Sequence, residues 1–381
     1  MTLLDRHIFR SVLGTTLAAA CLFGFVLVAG NILRDLLGPM LAGQMRLVTF
    51  GRLVLLMVPV VASYALPLGM LTGVLLTLGR LSSDSEITAM RAAGMSILRI
   101  AVPVLILGGI GALIGLRINF ESMPWAKIEY EREFAAALRA NPLSFIRPKT
   151  FIREFPGAVV YVGSRNGPDL RDFWLWQLDP EKRVIRFIRA DSGRVDFDEA
   201  NSEFIVTLKR ARIEDHDRKA PDSFAEPLRV STFEEIDPFR LSLARYLGIQ
   251  TVHQKLPWMT YGELEAEKAR VEAQPVPAGG EKQHARDVMK VTLTIQDKFN
   301  MALAVFTFAL VGVPLGIKVS RRETSANLGL AVVLALAYYF LIVVVGWLDQ
   351  HPDYRPDLLL WVPNLMFLSL GAFLLRRLDR A

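Results

Sequence analysis

The residues best placed for chemistry in this chain lie between positions 79 and 96, and their pattern is that of a short interfacial helix. Ser83 stands three residues ahead of Glu86. That is the spacing of a capping box, in which the serine oxygen and the glutamate carboxylate satisfy free backbone N–H groups of a helix's first turn. Ile87, Met90 and Ala93 or Gly94 then fall on one side of a short helix, with Gly94 placed to end it. An apolar underside with Glu86 and Arg91 beside it suits a helix that fits a groove on a partner protein. The same spacing also suits a plainer role, with Glu86 capping the helix and Arg91 anchoring it at lipid headgroups.

Elsewhere the reactive residue types exclude more than they offer. The five histidines, His7, His216, His253, His284 and His351, are scattered without HExxH or paired spacing, so no metal site is expected. There is no G-x-S-x-G and no G-x-x-x-x-G-K-[ST]; the segment from Gly312 to Lys318 has the wrong spacing to hold nucleotide phosphates. Cys21 is the only cysteine, which rules out an intrachain disulfide, a zinc finger and a CxxC redox pair. No catalytic residue and no cofactor is expected. No carboxylate lies inside an apolar span, so energy for any transport would come from a partner.

The elements that must position residues 79–96 follow from composition. Of 381 residues 52% are apolar, mean hydropathy is +0.33, and charged residues still reach 22%, which describes a chain partly in lipid and partly in water. The net charge of +6 comes without a basic run interleaved with aromatics, so no nucleic-acid partner is expected. A hydrocarbon layer about 30 Å thick needs about 20 apolar residues in a helix. Six stretches qualify: residues 12–33, 53–78, 100–116, 299–317, 324–348 and 358–375. The first is too long for a signal peptide and is read as a retained anchor, and the alanines before Cys21 are not read as a lipidation site. Lys and Arg in the short connections divide eleven to four. The richer side holds Arg6, Arg10, Arg80, Arg91, Arg99, Lys318, Arg321, Arg322, Arg376, Arg377 and Arg380; the poorer holds Arg34, Arg46, Arg52 and Arg355. Basic residues favour the cytoplasmic side, which puts both termini there and residues 121–297 outside.

That outer segment opens on a charged, helix-prone stretch, Glu121 to Ala140. Beyond Asn141-Pro142 come short runs rich in β-branched and aromatic residues: 158–162, 173–176, 184–188 and 204–208. Asn166-Gly167, Asp179-Pro180 and Ser192-Gly193 read as turns between them, which predicts an antiparallel sandwich or jelly roll. Tyr261 to Ala273 reads as a charged helix, Pro275 to Gly280 as a linker, and Glu281 onward as a helix entering the fourth span. The fold class is therefore an α-helical membrane protein of six transmembrane helices with an inserted antiparallel β jelly-roll-like extracytoplasmic domain. Residues 1–120 hold the first three spans with a short helix over 81–95, residues 121–297 the outer domain, and residues 298–381 the last three spans.

The segment Ser83 to Ser96 resembles the coupling-helix signature of the LptF/LptG family, the permeases of the lipopolysaccharide exporter. Leu4 to Ile8 is similar to that family's opening and Leu66 to Gly73 to its second helix. Ala190 to Gly193 resembles a strand-turn of its outer domain. Val313 to Gly316 and Trp361 to Asn364 resemble the ends of its fourth and sixth helices. The resemblance covers nearly the whole chain, and segments 83–88, 140–142 and 172–177 look more like F-type than G-type chains. It implies a bacterial inner-membrane subunit paired with a second permease chain of the family, driven by a cytoplasmic ATPase dimer. Lipopolysaccharide would enter sideways between the first helix of one chain and the fifth of the other, then pass to a periplasmic bridge protein. It further implies that Glu86, flanked by Ser83 and Arg91, couples to the ATPase, and that Arg34, Arg46 and Arg52 meet lipid phosphates. Three other readings stand beside it: a lipoprotein-releasing or mechanotransmitting permease, which usually has four spans; a membrane enzyme of envelope assembly, which would need a catalytic cluster; and a structural scaffold, whose activity would not depend on a coupling helix.

Overall fold

The computed structural model describes residues 3–41, 45–140, 146, 148–153, 155, 157–179, 181, 183–198, 203–216, 229–242, 255–275, 280–319, 324–347 and 354–380. Asn141-Pro142, Pro180, residues 276–279, Arg321, Arg322, His253 and His351 lie outside these. In chain order come α1 (Leu3–Asn31), a π-helical turn (Ile32–Leu36), α2 (Leu37–Leu41), α3 (Leu47–Ser83), α4 (Glu86–Ala92) and α5 (Ile97–Arg117). A second π-helical turn (Ile118–Ser122) leads into α6 (Met123–Ala140). After six strands the chain returns through a 3-10 turn (Leu256–Trp258) to α7 (Tyr261–Glu272), α8 (Glu281–Val319), α9 (Thr324–Gly346), α10 (Pro356–Leu359) and α11 (Val362–Arg380). Among the described residues six helical stretches are long and apolar enough to cross a membrane, in the expected places. The third runs on as a helix to residue 140, as its charged continuation predicts.

Two compact units form, one of residues 1–31, 54–128 and 254–381, the other of residues 32–53 and 129–253. The helical unit is built around α8, which buries 78% of its most apolar stretch, against 17% for α1 and for α9. Lipid tails are as apolar as leucine, so spans associate through close contact and hydrogen bonds. Glycines supply the closeness. On α5, Gly108 and Gly111 lie so near Ala309 and Val305 of α8 that an added Cβ would sit 2.7 Å from each, and Gly115 faces the Ala302 backbone. In turn Gly312 and Gly316 of α8 accept Val74 and Leu78 of α3. On α3, Gly69 and Gly73 let the backbone of α1 approach at Ala20 and Thr16. Buried amides add polar ties along α8: Asn364 of α11 donates to Asn300 Oδ1 (2.7 Å) and accepts from Thr307 (2.9 Å), and Trp361 donates to Gln296 (3.0 Å).

The second unit holds the sheet: β1 (Phe151–Ile152), β2 (Ala158–Asn166), β3 (Asp169–Leu178), β4 (Val184–Asp198), β5 (Glu203–Asp215) and β6 (Arg229–Ser242). The strands pair antiparallel in sequence order, a simple meander. Alternate residues separate the faces. Val160, Val162, Phe173, Leu175, Ile188, Phe204 and Val206 are buried on one, while Tyr161, Trp174, Trp176 and Phe187 form a half-buried aromatic cluster on the other. In a flat sheet β3 and β6 would lie about 14 Å apart. The rings of Phe173 and Phe239 from those strands are 6.3 Å apart, so the sheet rolls with its apolar face inward.

Asn166-Gly167 makes the β2–β3 turn, and Asp179 closes the β3–β4 connection by accepting from the backbone N–H (2.7 Å) and Nε (2.8 Å) of Arg183. Ser192-Gly193 makes no turn; both residues lie inside β4. A row of residues across the sheet, Gly163, Asp172, Asp191 and Arg210, is skipped in the strand register, with Asp172 and Arg210 at φ 54° and 50°. The polar, small residues there mark a bend across the strands and no chain reversal. Gly193 is glycine because β5 crosses closely, at 2.8 Å from an added Cβ to Thr207 O.

Candidate functional site

The segment 79–96 folds as two turns around a helix of seven residues. α3 does not stop before Ser83, as a capping box there requires; it runs through it, and the Ser83 hydroxyl donates back to Arg80 O (3.0 Å). Ser85 takes the position ahead of α4 at φ 62° without a side-chain cap, so the Ser83–Glu86 box does not form. Helical continuity of α3 consumes the geometry that the pattern needs, and the box occurs instead at Thr260 and Glu263, which cap α7 reciprocally. Gly94 ends α4 as predicted, at φ 87°, with its N–H donating to Arg91 O (2.9 Å). Ser96 then caps α5 by accepting from Arg99 N (3.2 Å).

Two side chains anchor α4. Ile87 and Met90 are buried in one apolar cluster with Ile8 and Val12 of α1, Leu78 and Leu81 of α3, Ile97 and Ile100 of α5, Val313 of α8 and Leu375 of α11. Ala93 and Gly94, also expected on that side, are exposed. The opposite surface of α4 is open, with Glu86, Thr88, Ala89, Arg91 and Ala92 exposed. Glu86 and Arg91 are five residues apart, about 140° around the helix, so they flank the exposed surface instead of pairing. At this end of the bundle further ties converge: Ser82 donates to Ile317 O (2.9 Å), Leu98 N to Asp379 Oδ1 (3.3 Å), and Arg99 Nη2 to Asp5 Oδ2 (2.8 Å). α4 therefore presents an open outer surface bearing Glu86 and Arg91, while its apolar side shares one cluster with residues of five spanning helices.

Residues 6–377 match the lipopolysaccharide export system permease LptF/LptG family. This chain belongs to that family. LptF of Escherichia coli (strain K12) is 23% identical over 372 residues, covering 97% of this chain and 93% of its own. The LptF proteins of Escherichia coli O157:H7 and Shigella flexneri match to the same extent. As a member of the LptF/LptG permeases it is a multi-pass membrane protein and a transport subunit of lipopolysaccharide export, not an enzyme.

The three arginines singled out in the sequence have different surroundings. Arg34 does not end the first helix: the helical path continues through the π-helical turn that holds it and on to Leu41. Its side chain is 85% exposed and only 3.7 Å from Asp35. Arg46 is exposed just ahead of α3. Arg52 is already engaged, 2.8 Å from Glu133 and 3.8 Å from Glu129, both on α6.

Lys298, just ahead of the fourth apolar run, has no role assigned from the sequence pattern. It is 5% exposed and folds inward, donating to Met259 O (2.7 Å) and to Asn119 O (2.9 Å) in the π-helical turn after α5. Asn119 Nδ2 returns a bond to Lys298 O (3.1 Å), and Phe120 stands 5.6 Å from the ammonium. Lys298→Met keeps the length but leaves one buried and one partly buried carbonyl without this donor, a loss of about 1–3 kcal/mol. Thermal unfolding in detergent is expected to show a clearly lowered midpoint; melting at the wild-type temperature would remove this knot as a stabilising element.

Proposed function

We propose that this chain is one of two permease subunits of an ATP-driven exporter, F-type in character. It extracts lipopolysaccharide from the bacterial inner membrane and hands it to a periplasmic bridge protein. The observation that carries this reading is α4: an open helix bearing Glu86 and Arg91, locked by Ile87 and Met90 into five spans, in a member of the LptF/LptG family whose sequence has no nucleotide-binding loop. A cytoplasmic ATPase dimer docks there and on the second permease chain. The eleven-to-four bias in Lys and Arg supports cytoplasmic termini and a periplasmic sheet domain. Arg34 and Arg46, exposed and on the poorer side, engage headgroup phosphates through paired, charge-assisted hydrogen bonds. Arg52, held by Glu133, orients this region instead.

The test is reconstitution of this chain with a partner permease and ATPase in lipopolysaccharide-loaded proteoliposomes. ATP-dependent transfer of lipopolysaccharide to added bridge protein is expected, and it should vanish when this chain is omitted. ATP hydrolysis without transfer in the complete system, or failure of the ATPase to co-purify, would overturn the reading.

A further inference from the structure

The first helix is gripped more tightly along its first half than its second, where Ala20 still meets Gly69 of α3 and Gly24 lies beside Ala65. Its buried residues are Asp5, Ile8, Val12, Thr16 and Ala19, one per turn on a single stripe, and none of residues 20–31 is buried. Thr15 ties the middle of α1 to α3, donating to Gly73 O (3.1 Å) and hydrogen-bonded to Thr77 Oγ1. Beyond that point Leu22, Phe25 and Val26 face away from the rest of the unit. A helix held tightly at one half and loosely at the other swings when its tightly held end is shifted.

That held end meets the α4 region through charge. The Asp5 carboxylate is only 6% exposed and is bound by the Arg99 guanidinium at 2.8 Å. Arg99 occupies the first turn of α5, joined to α4 by the tight turn at Gly94 and fixed by the Ser96 cap. Asp379 of α11 bonds the neighbouring Leu98 N–H, so this turn is a junction of α1, α4, α5 and α11. A carboxylate with little solvent of its own is held close to the cation that binds it, while the Arg99 side chain stays 47% exposed. Ile8, one turn on from Asp5, shares the apolar cluster of Ile87 and Met90.

We propose that Asp5 and Arg99 are positioning residues for export: the pair makes α1 follow α4, so that a push from the partner on α4 swings the loosely held half of α1 against α3. The inference rests on the reading of α4 as the ATPase dock. In the reconstituted exporter, Asp5→Asn and Arg99→Gln are expected to keep ATPase co-purification and ATP hydrolysis while lipopolysaccharide released per ATP falls about tenfold. The exchange variant, Asp5→Arg with Arg99→Asp, restores the pair in reverse and should recover most of that loss. A second readout follows the helix directly, with spin labels at exposed positions 26 and 55 in a Cys21→Ser background. Their separation should change on nucleotide binding in the wild type and stay fixed in Asp5→Asn. Wild-type release per ATP in both single variants would overturn the proposal. So would an exchange variant that folds and hydrolyses ATP yet exports no better than the singles, or a label separation in Asp5→Asn that still responds to nucleotide. A wild-type complex that hydrolyses ATP but exports nothing would count against the proposed function and leave the label measurement to judge the pair.

Discussion

Glu86→Lys is expected to abolish export and to strip the ATPase from the complex. With the Ser83 cap absent and α4 started at Ser85 without side-chain help, the carboxylate has no capping duty that its loss would expose. Among the described residues no hydrogen bond or ion pair engages Glu86, and its side chain stands open on the outer surface of α4. Its charge is therefore available to a partner cation. Truncating one member of a hydrogen-bonded charge pair at an interface costs about 2–5 kcal/mol, and reversal adds repulsion. Glu86→Gln should weaken co-purification and lipid-stimulated hydrolysis measurably, and Glu86→Lys should eliminate both. The stability of the isolated chain should stay within about 0.5 kcal/mol of wild type, as for an exposed surface change. Intact complexes and transport in both variants would remove the coupling role from this side chain.

Gly73→Leu is expected to separate α1 from the bundle. A Cβ at this position would stand 2.5 Å from Thr16 Cα and 2.6 Å from Thr16 N, both backbone atoms that no side-chain rotation can move. Overpacking a tight site costs about 1–3 kcal/mol when side chains can yield; here the whole helix must yield, and the Thr15 bonds to Gly73 O and Thr77 go with it. Gly109→Leu is the matched control, since an added Cβ there meets nothing within 4 Å. Purified in the same detergent, Gly73→Leu should accumulate poorly and melt well below wild type, with Gly109→Leu close to it. Equal melting of the two would show that the α1–α3 approach contributes little.

Features that depend on the local chain are legible in the amino-acid sequence alone. Six spans follow from apolar length against a fixed hydrocarbon thickness. The strand runs 158–162, 173–176, 184–188 and 204–208 follow from β-branched and aromatic composition, whereas the two faces of Phe173–Trp176, apolar throughout in sequence, appear only in the structure. Gly94 ends α4 because a residue without Cβ adopts positive φ freely. The same local reading fails where two neighbourhoods look alike. Ser83–Glu86 and Thr260–Glu263 carry one pattern, yet a preceding helix runs through the first and an extended residue opens the second. Ser192-Gly193 has turn composition, but both residues pair within β4, and Gly193 lets β5 lie close beside it.

What no window of sequence reveals is which distant partner each charge meets. Arg52 reads as a candidate for lipid phosphate, but α6 brings Glu133 to 2.8 Å from it. Arg99 counts only as an orientation signal in the sequence, and α1 delivers Asp5 beside it. Lys298 carries no distinguishing signal in the sequence, yet the π-helical turn at Asn119 and the carbonyl of Met259 close over it. Length and periodicity are properties of one segment and are written along it. Charge partners across segments depend on where helices cross and how far they slide. In this bundle glycine contacts such as Gly73 on Thr16 and Gly111 on Val305 set both.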